Sequence, residues 1–216
     1  MNPSPKPLDL ALFKGQDIVS AIISTGLELG VGASDWTHVG VFVDSTVLPL
    51  PQLQHGRLYV LESTSSNDEN PDVVSGKKDF GVQIRDFETT LRLYEGHVGF
   101  AALSNAGVVD MERAKEFLIK LWEKEKDLPY SANLLNLVGA LFSCCRGQRK
   151  LVNSVVPAGD MNHSKFCSQL AAEIYLAVGV FEGVDPTNVV PMDLLGFDKD
   201  ENGVKKGVFQ NVVQLK

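Results

Sequence analysis

The 216-residue chain has only three cysteines, no excess of positive charge and no long apolar run. Each shortage closes off a class of function. Three thiols make an odd count with no framework spacing, so a disulfide scaffold is excluded and reduced thiols in an intracellular compartment fit. A net charge of −7 disfavours nucleic acid as a partner, because phosphate binding needs a basic surface. The one local basic patch is "CCRGQRK". The longest apolar stretch, "LLNLVGALFSCC", falls well short of the ~20 residues a bilayer span needs and reads as a buried helix. The opening "MNPSPKPLDL" has no such run and is read as a flexible arm over 1–9, not a signal peptide. The location these features lead one to expect is the cytoplasm or a virion interior. No repeat of 20 to 50 residues is present.

What is there is an ordinary globular composition, 44% apolar and 22% charged, sufficient for one core and hence one domain over 10–216. In "DWTHVGVFVDS" Val39, Val41 and Val43 alternate with Gly40, Phe42 and Asp44, so both faces are mostly apolar. That is the mark of a strand buried on both sides. Before it, Ile18, Ile22, Ile23 and Leu27 have helical spacing and predict a helix over about 17–29, ended near Gly30 or Gly32. After it, "RLYVLEST", "FGVQIRDF" and "HVGFAALS" read as strands and "ETTLRLY" as one helical turn. The polar stretch 64–78 reads as a mobile surface loop. "DMERAKEFLIKLWEKEKD" carries an apolar stripe of Ala114, Phe117, Leu118, Leu121 and Trp122 and predicts a helix. A second, more buried helix follows Pro129. "KFCSQLAAEIYLAVGVF" predicts a further helix of about four turns, "VVPMDLLGF" an extended piece and a helical turn opened by Pro191, and "GVFQNVVQL" a last strand. Strands followed by helices imply an α+β fold with an antiparallel sheet.

Three residues can carry chemistry. Cys167 begins a predicted helix, where partial positive charge and free amides lower a thiol's pKa and can hold an oxyanion. Lys165 adds charge two residues away. His38, at the mouth of its strand, is the imidazole such a thiolate needs. Glu62, ending the next strand, can orient that imidazole as a cross-strand partner. Taken singly, each has a plainer reading: a buried small hydrophobe, a capping histidine and a solvated strand end. His97, in the echo "GHVGFAA", is a rival base. His163 and Cys167 are four apart, as two metal ligands on one helical face would be. Zinc needs two more, however, and adjacent Cys144 and Cys145 are awkward providers, so no metal and no cofactor is expected. Cys144 and Cys145 beside Arg146, Arg149 and Lys150 could accept an acyl chain, which leaves weak membrane association open.

In combination, "WTHVGVFV", "LYVLEST", "FCSQLAAEIY" and "VVPMDLL" occur in one order over about residues 10–196. That order resembles the circularly permuted branch of the NlpC-type papain-like cysteine hydrolase superfamily. Residues 15–44 resemble its opening, an Asp-Ile-Val segment leading to a Ser/Thr-His-Val-Gly strand. The resemblance implies a papain-like core, a small twisted antiparallel sheet packed on the cysteine-bearing helix. It implies Cys167 as nucleophile, His38 as general base and Glu62 as orienting residue, and it disfavours His97. The backbone amide of Cys167 or Ser168 would stabilise the oxyanion. Residues 110–145 would be a helical insertion or lid. The expected activity is hydrolysis of an amide or ester in a peptide or acyl-lipid substrate through a thioester. Acyl transfer on the same fold and an inactive papain-like binding module are the alternatives. An interaction protein docking through 64–78 has no specific support. Substrate identity and oligomeric state are not readable.

Overall fold

The computed structural model describes residues 3–15, 36–64, 69–78, 81–104, 109–126, 166–189, 191–195 and 208–216. The fold is α+β, built on a six-stranded antiparallel sheet. Its strands are β1 (Leu10–Gly15), β2 (His38–Val43), β3 (Tyr59–Thr64), β4 (Gly81–Asp86), β5 (Gly96–Ala101) and β6 (Val213–Gln214), in the order β4-β3-β2-β1-β5-β6. Helices α1 (Phe87–Leu93), α2 (Met111–Glu125), α3 (Cys167–Ala177) and the short α4 (Pro191–Leu194) complete the described elements, with a 3-10 turn at Pro186–Asn188.

Both faces of the sheet are buried, as the alternation in β2 predicts. One face presents Leu10, Leu12, Val39, Val41, Val43, Leu61 and Ile84 to Ala114, Leu118, Leu121 and Trp122 of α2 and to Leu170, Ala171, Ile174 and Tyr175 of α3. The other presents Ala11, Phe13, Phe42, Val60, Val98 and Phe100 to Phe87, Leu91 and Tyr94 around α1. Burying a side chain of this size contributes about 1.5–3 kcal/mol, so the two clusters set the register of every strand.

One of the two middle strands, β1, is absent from the sequence reading, which passes from the arm directly to a helix. The arm itself is anchored at its inner end. Leu8 N–H donates to the Phe42 carbonyl at 2.8 Å, and Tyr175 Oη–H donates to the Leu8 carbonyl at 3.1 Å. The buried Asp9 carboxylate accepts from Lys6 N–H and Leu103 N–H, both at 2.8 Å. The stretch expected as a mobile loop is also partly fixed. Thr64 ends β3, and the buried Asp72 side chain accepts from the amides of Val74, Ser75 and Ile84. The single turn expected at "ETTLRLY" is a seven-residue helix, capped by Asp86, whose side chain accepts from Thr89 N–H at 2.9 Å. The last strand is shorter than expected, two residues plus an isolated bridge between Leu103 and Phe209.

α2 contributes four buried side chains to the main core beside α3. α3 runs for eleven residues, about three turns. It stops before its apolar pattern does because Gly179 takes a left-handed φ of 76°. Val180 N–H then donates to the Tyr175 carbonyl and Gly179 N–H to that of Leu176, the two bonds of a Schellman motif. The predicted helices at 17–29 and after Pro129 lie outside the described residues, as do Cys144, Cys145, Arg146, Arg149, Lys150, His163 and Lys165.

Candidate active site

His38 is the first residue of β2, and Glu62 lies in β3 next to it. The register does not set them face to face. Gly40 is opposite Glu62, which makes His38 the diagonal neighbour, a separation only long side chains can bridge. Gly40 is what lets them do so. A Cβ there would stand 2.5 Å from Val60 Cγ1, closer than real contacts go, and 3.2 Å from Glu62 Cβ, tighter than most. With that space free, His38 Nε2 lies 2.7 Å from Glu62 Oε2. An ionised carboxylate only accepts, so Nε2 carries the proton and donates it to Glu62. The imidazole also lies against Phe13, with ring centroids 5.4 Å apart, which restricts its tilt.

Cys167 is the first residue of α3 and is buried. Its helix packs on β2 and β3, and its thiol is in hydrogen-bonding contact with the His38 ring. Because Nε2 is committed to Glu62, Nδ1 is the nitrogen that faces the thiol. Two backbone amides, Val39 N–H and Ser168 N–H, also donate to Sγ. Val39 can do so because the β2–β3 ladder ends one residue earlier, at the Gly40–Glu62 pair. The N-cap residue, Phe166, offers no side-chain oxygen to the first turn of α3, and that turn holds no acidic residue, so no carboxylate on it opposes a negative sulfur. Ser168 Oγ–H donates to the Val189 carbonyl at 2.7 Å. That bond ties the helix start to the segment leading into Pro191.

The electrostatics follow from these contacts. Burial works against a charged Cys167, but the His38 charge, the bond to its ring and the two amides outweigh it and hold the thiol below its ordinary value. Burial also works against a charged His38. The Cys167 and Glu62 charges and the hydrogen bonds from both overcome it and raise the imidazole from 6.5 to about 10. Burial alone would raise Glu62; His38 and Arg85 hold it below its ordinary value. Both shifts favour the thiolate–imidazolium form over the neutral pair, and the two titrate as a unit.

The three residues singled out in the sequence thus meet, and the Ser168 amide, expected to face an oxyanion, donates to the sulfur. His97 does not join them. It is exposed on β5, where the Gln214 side-chain amide donates to its Nδ1 at 3.1 Å. Among the described residues no group of three or more His, Cys, Asp or Glu is placed to hold a metal ion. Sequence reasoning passed over Arg85, whose Nε stands 3.4 Å from Glu62 Oε1, and Gln83 beside it. The available signal was their alternation with Val82 and Ile84 in "GVQIRD". A period of two puts them on the face that carries Glu62.

No protein-family model and no curated protein matches the chain. Among solved structures, it is similar to the metalloprotein yiiX from Escherichia coli O157:H7, at 13% identity and a TM-score of 0.48 over 98% of this chain and 97% of that one. At that identity and TM-score the likeness assigns neither a family nor an activity.

Proposed function

We propose that the protein is a cysteine-dependent acyl enzyme of the circularly permuted NlpC-type papain-like kind, acting on an amide or ester bond. The observation that carries this reading is the convergence of Cys167, His38 and Glu62, from three separate elements, into one chain of hydrogen bonds whose charges favour a thiolate. The order in the sequence, histidine strand, acidic strand and then cysteine helix, also agrees with the permuted arrangement.

The thiolate attacks the substrate carbonyl carbon, and the π electrons move to oxygen. First-turn amides of α3 are the available donors to that oxyanion. Collapse of the tetrahedral species breaks the bond to the leaving amine or alcohol, which takes the Nδ1 proton of His38. A thioester on Cys167 and a neutral imidazole result. Water, or a second acceptor, gives its proton to Nδ1 and attacks the thioester, and the thiolate–imidazolium pair is restored. Glu62 holds the ring in the tautomer and orientation this needs, as the acid does in the Ser-His-Asp template. Water as acceptor makes a peptidase, amidase or acyl hydrolase; an alcohol or amine makes an acyltransferase. The substrate is a peptide or an acyl lipid.

The test uses a Cys144→Ser, Cys145→Ser background, which leaves one thiol. After a brief exposure to p-nitrophenyl acetate, intact mass spectrometry is expected to find one acetyl group on Cys167, removable by hydroxylamine. Cys167→Ala should carry none and His38→Ala far less. A folded protein that never acylates, or that acylates equally without His38, rules out the enzyme and leaves a papain-like binding module.

A further inference from the structure

The second face of β4 carries a charge that the acyl chemistry above does not use. Gln83 and Arg85 share the face of Glu62, while Val82 and Ile84 point into the main core. Gln83 stands directly across from Glu62, and Arg85 across from Val60. Both are buried, at 3% and 2% exposure. Arg85 Nε donates to Gln83 Oε1 at 3.0 Å and stands 3.4 Å from Glu62 Oε1. Gln83 Nε2 finds no hydrogen-bond partner among the described residues. A desolvated guanidinium is costly, and a well-packed apolar pair would serve stability as well or better. A satisfied amide would also be the rule. The fold alone gives no reason for this row.

The geometry of Glu62 supplies one. Its two oxygens are divided between two cations, Oε2 to His38 and Oε1 to Arg85. The four charges Cys167⁻, His38⁺, Glu62⁻ and Arg85⁺ sum to zero in a space from which water is largely removed. Without Arg85 the remaining three sum to −1, and the cheapest relief is a proton on Glu62. That proton would release the hold on His38 Nε2–H and with it the thiolate. We infer that Arg85 is a positioning residue for the thiol site, keeping Glu62 ionised and turned toward His38, with Gln83 fixing the guanidinium in its turn. The charged groups that act on Glu62, among the described residues, are His38 from β2 and Arg85 from β4, with Cys167 of α3 acting through His38.

The inference rests on the thiol chemistry proposed above, and its readout is the titration of the thiol itself. In the Cys144→Ser, Cys145→Ser background, the rate of iodoacetamide alkylation is followed against pH. Arg85→Met is expected to move the acid inflection up by about one to two units, the size of a lost opposite charge at this range. Arg85→Lys restores part of the shift, and Gln83→Met produces a smaller one in the same direction. Arg85→Met added to Glu62→Gln moves nothing further, since the effect runs through the carboxylate. A merely structural arginine lowers the melting temperature and leaves the inflection in place, which overturns the inference. If Arg85→Met does not fold, unmoved inflections in both Arg85→Lys and Gln83→Met overturn it equally. An inflection at or above about 8.5, the free thiol value, in the protein with Arg85 intact contradicts the thiol site itself. A low inflection there that Arg85→Met leaves unchanged contradicts only the role of Arg85.

Discussion

Glu62→Gln keeps shape and volume and removes one charge, 2.7 Å from His38 Nε2. Two unit charges at that separation attract by about 6 kcal/mol at an effective dielectric of about 20. Part of that is returned because the carboxylate no longer has to be desolvated. Breaking a buried pair by removing one partner costs about 3–5 kcal/mol in practice. At about 1.36 kcal/mol per pH unit, even the lower figure is about two units off the His38 value of about 10. The imidazole then titrates lower, and the thiol, which leans on the imidazolium, moves up. The share of the ion pair at neutral pH falls. The assay is ultraviolet thiolate absorbance against pH in the single-thiol background, with far-ultraviolet circular dichroism to establish that the variant is folded. Thiolate signal should fall strongly at neutral pH and return in alkali. An unchanged thiolate titration in folded Glu62→Gln would refute the claim that Glu62 holds the imidazolium.

Other expectations concern the nucleophile, the glycine between the two partners, and stability. Cys167→Ala should fold and should show no esterase turnover; activity like the parent's would remove Cys167 from the mechanism. Gly40→Ala places a Cβ against Leu61 O at 3.1 Å and Glu62 Cβ at 3.2 Å. It should cost about 1–3 kcal/mol of stability by overpacking and displace Glu62, so thermal melts and thiolate absorbance should fall together. A raised His38 contributes stability that is complete below 6.5 and is lost as pH rises through about 10. A lowered Glu62 contributes stability present above its ordinary value of 4.5 and lost as pH falls through its lower folded value. On these two groups the melting temperature should therefore be highest between about pH 4.5 and 6.5 and fall toward both ends, the alkaline fall spreading from 6.5 to about 10. His38→Gln should flatten the alkaline fall, and an identical alkaline fall in that variant would place its origin elsewhere.

The three site residues were legible because each sits at or near the end of an element with its own strong pattern. β2 alternates, β3 alternates, and α3 has a broad apolar face behind Cys167. Their meeting was inferred from order, and the structure brings them together by a route the sequence does not display, the diagonal across Gly40. β1 was not legible. "LALF" is a short apolar run without a period, because Leu10 and Leu12 enter one core and Ala11 and Phe13 the other, and it follows a Pro-rich arm. Gln83 and Arg85 were passed over for the opposite reason. A period-two reading places polar residues in water, and only the fold reveals that this face is covered. The end of α3 was overrun because Val180 and Phe181 continue the apolar pattern past Gly179, packing on the core after the helix has stopped.

The most direct measurement is the rate of Cys167 alkylation by iodoacetamide across pH, in the single-thiol protein and in the same protein with His38→Ala. A thiolate–imidazolium pair predicts an inflection well below about 8.5 that moves up when His38 is removed. An inflection at or above that value, indifferent to His38, would make Cys167 a buried structural cysteine and contradict the account.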